Sequence, residues 1–342
     1  MIDDFLNREI DLGSFAGAVY AVGSFDAIGQ IGAAGHAVSV PMKIAATVDT
    51  IWDCASITKP LVTTTLVLQA VAEGKLSLDD RVDLLPFDVR YRDLLTHTSG
   101  LAAWLPLYAF DDYLDAIRSR GRECARGEKV IYSDLNFILL FMTLELIYGD
   151  YVALAHERIF EPLGITAEAM FNPSRDLLPR IAATEWGQRF EASLARDRKI
   201  ECNRFRQELM WGEANDGNSH HHGGTAGNAG LFATARAVFR LAQSWARAEL
   251  LPRELVDAAV SNQTAGMNEA RGLGWQLPTP DNDATHPLSP SSFGHMGFTG
   301  TSVWLDPERR RIFVLLTNRI HPSAAPTAMQ RIRGEFHRLA IG

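Results

Sequence analysis

The sequence predicts a mixed α/β fold of the α+β type, in which a largely antiparallel sheet flanked by helices is interrupted by an inserted all-helical domain. Runs of β-branched and small residues lie near both ends of the chain, whereas the middle is helical and rich in loops. This order predicts one sheet assembled from both chain ends. We expect a discontinuous sheet domain over residues 1–75 and 228–342, and a helical insertion domain over 76–227.

The first elements are a β-hairpin and a long helix. Residues 16–22 and 27–34 are mostly small or β-branched, which predicts two paired strands in a closely packed sheet. A helix is predicted over residues 57–73. Pro60 lies in its first turn and Gly74 follows its end, the usual distribution of these two residues around a helix.

The remaining elements follow from hydrophobic periodicity. Helices are predicted in the middle of the chain at 90–95, 111–118, 134–148 and 151–160, and again at 234–247. Four late strands are predicted at 274–277, 293–297, 302–305 and 312–317, and a last amphipathic helix at 325–339.

Composition and charge restrict the classes of function. The 342 residues are 46% hydrophobic and 22% charged, an ordinary balance for a globular protein. The net charge of −8 and the absence of a basic stripe argue against nucleic-acid binding. The most apolar stretch, Phe137 to Ile147, is too short for a membrane span. Three scattered cysteines predict free thiols.

The acidic first residues do not resemble a secretory signal. We therefore expect a cytoplasmic protein if the chain is full length, and a periplasmic or secreted one if it has been trimmed. The sequence does not indicate an oligomeric state.

The first candidate catalytic motif is Ser56-Ile57-Thr58-Lys59 at the start of the first long helix. Residues three apart share a helix face, so the hydroxyl of Ser56 and the ammonium of Lys59 are expected side by side. A serine hydroxyl needs a base to become a nucleophile, and a desolvated lysine serves if its pKa falls towards neutrality. Free N–H groups at the helix start favour negative charge beside Ser56.

Two further motifs supply candidate partners. Tyr132-Ser133-Asp134 precedes an apolar helix, and a phenol near the Ser/Lys pair could shuttle a proton if cationic neighbours lower its pKa. Asp134 is equally well explained as a helix cap. The third motif runs from Gly294 to Thr301, where the backbone N–H of Phe298 could join that of Ser56 as an oxyanion hole.

These three motifs, in this order, resemble the active-site triplet of the class C β-lactamase-like family, which includes low-molecular-mass penicillin-binding proteins and related serine esterases. The stretches at 94–101, 159–164, 226–232 and 272–275 are also similar to that family. The resemblance spans residues 15–320. It implies a β-lactamase/transpeptidase-like fold with the active site between the sheet and the helical domain.

The resemblance also implies roles for single residues. Ser56 takes the place of the nucleophile, and Lys59 and Tyr132 that of the base/acid pair. His295 takes the place of the lysine or histidine in the third motif. Substrate contacts are expected from Asp134, His295, Gly297 and Thr299, with no cofactor and no metal.

Two positions depart from the commonest family pattern. Asp134 stands where an asparagine is usual, and a carboxylate facing Lys59 would keep that lysine protonated and shift the base role towards Tyr132. His295 stands where a lysine would hold a substrate carboxylate, and a histidine is only partly charged at neutral pH. Both changes weaken recognition of a β-lactam or a D-alanyl peptide.

The sequence therefore predicts a cofactor-independent serine hydrolase of small-molecule esters, β-lactams or D-amino-acid amides. A carboxylesterase without useful β-lactamase activity and a catalytically silent scaffold remain alternatives. Ser99 beside His97 is interpreted as part of a structural loop. The three histidines at 220–222 are interpreted as a flexible loop near the groove, with substrate contact and metal binding as the other readings.

Overall fold

A six-stranded antiparallel sheet forms the centre of the protein in the computed structural model, which describes residues 1–323 and 327–342. The strand order is β3-β2-β1-β9-β8-β7. The first three strands come from the N-terminal end of the chain and the other three from the C-terminal end. The bounds are β1 Gly17–Ser24, β2 Ile28–Val38, β3 Ile44–Ala45, β7 Phe293–Met296, β8 Ser302–Asp306 and β9 Arg311–Thr317.

The central strands are covered on both faces. Most of β1, β8 and β9 is buried, in keeping with their nearly continuous apolar sequences. Helix α9, Ala235–Arg247, packs against these strands on one face. On the other face a separate apolar cluster joins the sheet to α1, Ile2–Asp11, and α11, Met329–Ile341.

The segment between the chain ends is mainly helical. The pieces of the first long helix are a 3-10 turn at Ala55–Ile57, a π-helical stretch at Lys59–Thr64 and α2 at Thr65–Ala72. Further helices are α3 Tyr91–Leu95, α4 Tyr113–Arg120, α5 Asp134–Tyr148, α6 Tyr151–Ala155, α7 Arg189–Asp197, α8 Gly217–His221 and α10 Arg253–Val260. Short 3-10 or π-helical turns lie at Leu107–Ala109, His156–Phe160 and Arg175–Arg180.

A second, three-stranded sheet lies beside the first long helix. Its order is β4-β6-β5, with β4 at Trp52–Asp53, β5 at Ala169–Met170 and β6 at Phe232–Ala233. All its pairings are antiparallel. Because β4 runs directly into the turn that carries Ser56, this small sheet fixes where the turn begins.

The predicted fold class is confirmed, and several elements differ in detail. The strand predicted at 274–277 is wrong: Gly274 has φ +75°, outside the β region, and only isolated bridges form at Gln276. The predicted helix at 325–339 is α11, but its predicted start at Ala325 lies outside the described residues. Helices α1, α7, α8 and α10 were not predicted, and α8 includes His220 and His221, which were interpreted as part of a loop.

No single helix in the described ranges is long and apolar enough to cross a membrane. Residues 134–148 and 151–160 meet those criteria only as a pair, and the two helices are bent by 87°.

Candidate active site

Ser56 lies in a tight turn between β4 and the first long helix. Ala55 before it has φ +46°, an uncommon conformation for a residue with a side chain. The carboxylate of Asp53 accepts the N–H of Ala55 at 2.8 Å, and the hydroxyl of Thr58 donates to the carbonyl of Ala55 at 2.6 Å. These two hydrogen bonds hold the turn that presents the Ser56 hydroxyl to the cleft.

Lys59 is fully buried, and its ammonium meets three acceptors. Its Nζ donates to the Oγ of Ser56 at 3.0 Å and to the carbonyl of Asn228 at 3.0 Å. It lies 2.6 Å from Oδ1 of Asp134. An ammonium has three N–H donors; two donate to Ser56 and Asn228, and the contact with Asp134 is an ion pair without hydrogen-bond alignment. The predicted pairing of Ser56 and Lys59 is present.

The charge of Lys59 is set by two opposing effects. Burial lowers its pKa, but the nearby Asp134 and Tyr132 raise it, and the net result is a pKa above the ordinary value. Burial raises the pKa of Asp134, against the opposing effect of Lys59. The 2.6 Å contact supports an ammonium–carboxylate pair. Lys59 is therefore protonated at neutral pH, as expected if Asp134 faces it.

Tyr132 is packed between two cations. The Nζ of Lys59 lies 5.0 Å and the guanidinium carbon of Arg271 5.2 Å from the centroid of its ring. Its hydroxyl is buried, and Lys59 and Ser56 lower its pKa at close range, although neither is aligned for a regular hydrogen bond with it. Burial is the larger effect, so the pKa of Tyr132 is raised. The expectation of a lowered pKa is wrong, because the sequence shows the neighbours of the phenol but not its desolvation.

Two buried histidines flank the Tyr132 ring. His295 lies 5.7 Å and His97 4.8 Å from it, between ring centroids. Burial lowers the pKa of both far below the usual range, with Arg271 adding to the effect. The expectation of a partly charged His295 is therefore wrong, and the imidazole is neutral. Its Nδ1 is 2.9 Å from the carbonyl of Met296, which fits an N–H at Nδ1.

Two features describe how His97 is held in its loop: its backbone conformation and a hydrogen bond to its ring. It has φ +61°, and its Nδ1 accepts the backbone N–H of Ser133 at 3.0 Å. The loop around His97 thus fixes the residue that follows Tyr132. Sequence reasoning assigned only a loop role here. The signal for this placement was the similarity of residues 94–101 to the family.

The segment 297–301 is bound to the turn before Ser56. The hydroxyl of Thr299 donates to the carbonyl of Asp53 at 2.9 Å, and that of Thr301 to the carbonyl of Cys54 at 3.0 Å. A Cβ on Gly297 would lie 2.9 Å from the same carbonyl of Cys54. Gly297 and Thr299 thus contact the turn at residues 53–58 that carries Ser56, here called the nucleophile turn. Neither is among the residues that line the cleft.

Two backbone N–H groups at the cleft have no protein acceptor. Ser56 and Phe298 both line the cleft. Within the part of the chain that the structure describes, the N–H of neither donates to a backbone or side-chain group. Unpaired N–H groups at the edge of a cleft beside a nucleophile are the arrangement needed to bind an oxyanion.

The cleft beside Ser56 has a volume of about 500 Å³. A large part of its wall is apolar, formed by Ala55, Ala103, Trp104, Phe190, Leu194, Ala229, Met296 and Phe298. Its charged lining is unbalanced: four carboxyl groups, Asp134, Glu185, Glu191 and Asp216, face one guanidinium, Arg271, which pairs with Glu269 at 2.7 Å. Burial raises the pKa of Glu191 to about 7.

Most of these lining residues were not predicted. Glu185, Glu191 and Asp216 lie far from the motifs in sequence, and no spacing pattern marks them. The histidines at 220–222 are not among the lining residues, and no group of three or more His, Cys, Asp or Glu suited to a metal occurs in residues 1–323 and 327–342.

Comparison with known sequences finds similarity over most of the chain. The sequence model of the family described as Beta-lactamase matches residues 19–335. A putative D-alanyl-D-alanine carboxypeptidase of Escherichia coli strain K12 is 30% identical over 330 residues, which cover 84% of this chain and 73% of that protein.

Solved structures share the fold at lower identity. EstCE1, described as a hydrolase with promiscuous acyltransferase activity, superimposes with a TM-score of 0.75 at 18% identity, covering 99% of this chain and 97% of that one. An octameric penicillin-binding protein homologue from Pyrococcus abyssi gives a TM-score of 0.72 at 19% identity, covering 97% of this chain and 75% of that one.

Proposed function

Because this chain belongs to the beta-lactamase family and is a serine hydrolase, we propose that it hydrolyses uncharged carboxylic esters through an acyl-enzyme on Ser56. The observation that carries this proposal is the 3.0 Å hydrogen bond from the Lys59 ammonium to the Ser56 hydroxyl, beside a largely apolar cleft. An alcohol held in this way is ready to attack a carbonyl once its proton is removed.

Tyr132 is the proposed base. Lys59 is protonated and already donates to the Ser56 oxygen, so it stabilises the developing alkoxide but cannot accept the proton. The phenolate form of Tyr132 takes the proton of Ser56 as its oxygen bonds to the carbonyl carbon. The phenol then protonates the departing alcohol, and the same cycle with water releases the acid and frees Ser56.

The N–H groups of Ser56 and Phe298 are the proposed oxyanion hole. Each lacks a protein acceptor among the described residues, and both residues line the cleft. Donors of this kind are fixed by the fold before the reaction, so they stabilise the tetrahedral intermediate without reorganisation. The hydroxyls of Thr299 and Thr301 support this arrangement because they bind segment 297–301 to the nucleophile turn.

The charge of the cleft favours an uncharged substrate. β-Lactams and D-alanyl peptides carry a carboxylate close to the reacting carbonyl. The lining contains four carboxyl groups, the single guanidinium of Arg271 is paired with Glu269, and His295 is neutral. Asp134 is offset by Lys59, and burial raises the pKa of Glu185 and Glu191, so the negative field is weaker than four charges would give. Even so, among the described residues the cleft lining offers a substrate carboxylate no cation without a carboxylate partner.

A D-amino-acid amide is the second candidate. One observation favours it: Arg271 lines the cleft and its Nε and Nη1 have no partner within the described chain. A substrate carboxylate that displaced Glu269 would gain a bidentate partner there. The carboxypeptidase name of the Escherichia coli relative points the same way.

A paired assay separates these possibilities. A short-chain p-nitrophenyl ester and a chromogenic cephalosporin are compared at equal concentration, and a fluorophosphonate probe reports the nucleophile by mass spectrometry. We expect ester turnover, little cephalosporin turnover and a probe adduct on Ser56 that is absent in Ser56→Ala.

Ser99→Ala is the matched control, because Ser99 is a buried serine that is bonded to Asn136 and lies two residues after His97. It should keep the adduct and most of the activity. No adduct on wild-type Ser56 would favour a catalytically silent scaffold, and faster cephalosporin turnover would reject the ester assignment.

A further inference from the structure

A buried guanidinium contacts segment 297–301 and is absent from the residues that line the cleft. Arg333 in α11 is 5% exposed, and no carboxylate in the described part of the chain lies within ion-pair distance of it. Its Nη2 donates to the carbonyls of Gly297 at 3.2 Å and Thr301 at 3.1 Å. Burying an arginine without an anion is costly, so this position requires an explanation.

The carbonyl that Arg333 contacts belongs to the peptide group of the proposed oxyanion donor. In a peptide bond, the C=O of Gly297 and the N–H of Phe298 form one planar, conjugated unit. A positive charge at the oxygen draws electron density from the nitrogen and makes the N–H a stronger donor. The N–H of Gly300 also donates to the Gly297 carbonyl, at 3.1 Å. The Arg333 guanidinium and the Gly300 N–H thus donate to the same carbonyl oxygen of Gly297.

We propose that Arg333 is a positioning residue that strengthens the Phe298 N–H as an oxyanion donor by holding a positive charge against the Gly297 carbonyl. This inference rests on the proposed function, since it concerns the same tetrahedral intermediate. No proton or electron is transferred to Arg333. The guanidinium is fixed before the substrate arrives and its field is not screened by water, which makes a buried charge effective at short range.

The remaining contacts of Arg333 fit this role. Its Nη1 lies 3.4 Å from the sulfur of Met296, a weak acceptor, and its Nε has no partner within the described residues. Burial lowers the pKa of Arg333 to about 9, with a contribution from Arg319. The side chain therefore stays charged at neutral pH.

Arg319 provides a matched comparison within the same segment. Its Nε donates to the carbonyl of Phe298 at 2.6 Å. That carbonyl shares its peptide group with the N–H of Thr299, so a charge there does not act on the Phe298 N–H through the conjugated unit. The two arginines thus place positive charges on neighbouring peptide groups, and only the group contacted by Arg333 contains the proposed oxyanion donor.

The test compares Arg333→Gln, Arg333→Met and Arg319→Met with the wild type. Glutamine keeps an N–H donor for the two carbonyls without the charge, whereas methionine removes both. The measurements are kcat and KM for an uncharged p-nitrophenyl ester, the thermal midpoint, and the infrared carbonyl band of the acyl-enzyme on Ser56. That band falls as hydrogen bonding to the acyl oxygen strengthens.

We expect both Arg333 variants to lose about tenfold in kcat with little change in KM, less than the ~10²–10³ of losing an oxyanion donor outright. Their acyl carbonyl band should move to higher wavenumber. Arg319→Met should keep the band in place. A merely structural role would lower the thermal midpoint without moving the band.

An unmoved band in Arg333→Gln, with kcat retained, overturns the inference. If Arg333→Met does not fold, the glutamine variant alone decides, because it keeps the hydrogen-bonding capacity. Failure of the wild type to form any acyl-enzyme would instead reject the proposed function.

Discussion

The ammonium of Lys59 lies 2.6 Å from the carboxylate of Asp134, so the lysine beside the nucleophile carries its own counter-ion. This pair raises the pKa of Lys59 above the ordinary value in spite of complete burial. The pKa of Tyr132 is also raised, by burial. Lys59 and Tyr132 therefore hold their protons at neutral pH, so the form of the site in which Tyr132 is a phenolate is a minor one.

The first prediction concerns pH. While the pH is below the pKa of a group, each increase of one pH unit makes its base form about tenfold more abundant. Because the pKa values of Lys59 and Tyr132 are raised, kcat/KM should rise with pH from 6 to 9 without a plateau. A pH–rate profile with an uncharged ester measures this. A plateau beginning near pH 7 would contradict it, because it would require a base with a lowered pKa.

Asp134→Asn should shift that profile to lower pH. Without the carboxylate, burial is the largest influence on Lys59 and lowers its pKa. The amine then becomes available as a base near neutrality. Asp150→Asn is the control, since Asp150 is exposed and caps α6. An unshifted profile in Asp134→Asn would show that Asp134 is not what keeps Lys59 protonated.

Tyr132→Phe should separate activity from stability. The hydroxyl is buried without an aligned partner, so its removal should leave the thermal midpoint unchanged or higher, while kcat falls by about 10²–10⁴. Tyr151→Phe should do the reverse, because the Tyr151 hydroxyl is hydrogen-bonded to Thr63 at 2.7 Å and Tyr151 does not line the cleft. Retained activity in Tyr132→Phe would remove Tyr132 from the mechanism.

Thr299→Val tests whether this residue binds substrate or holds the nucleophile turn. Loss of its hydroxyl leaves the buried carbonyl of Asp53 unpaired, which should cost about 1–3 kcal/mol of stability and lower kcat. A substrate contact would raise KM instead. Kinetics and thermal melts of the same preparation distinguish the two, and a change confined to KM would restore the sequence-based assignment.

Gly297→Ala should damage the site more than the fold. The added Cβ would lie 2.1 Å from the hydroxyl oxygen of Thr301 and 2.9 Å from the carbonyl of Cys54, which forces segment 297–301 away from Ser56. Gly29→Ala is the control, because its Cβ would meet the backbone at an ordinary 3.6 Å. Equal activity in the two variants would show that the close approach at Gly297 is unimportant.

The sequence predicted those features that depend on local pattern. Helix α5 begins and ends at the predicted residues, since it is a long and mostly apolar run. The pairing of Ser56 with Lys59 followed from helical spacing. Helix α1 was missed because its acidic first turn was examined only as a possible signal peptide, although Ile2, Phe5 and Leu6 form a buried face.

The features that the sequence did not predict depend on burial and on distant parts of the chain. The pKa of His295 and Tyr132 is governed by desolvation, which no neighbouring residue in the sequence reveals. Arg333 lies 36 residues beyond Gly297, on a different element, and contacts it only in the folded protein. Thr299 was assigned to substrate from the family resemblance, which does not reveal that its hydroxyl is bonded to the carbonyl of Asp53 in the fold.

The central sheet also has a consequence for synthesis of the protein. Val19 in β1 lies opposite Leu316 in β9, so a strand made at the start is paired by one made almost at the end. At ordinary rates of translation the ribosome needs about 15 to 60 s to produce the intervening residues. During that interval the nascent chain already contains Ser56 and Lys59 but lacks the threonines that fix the turn, so the chain emerges inactive and one edge of β1 stays open to chaperones.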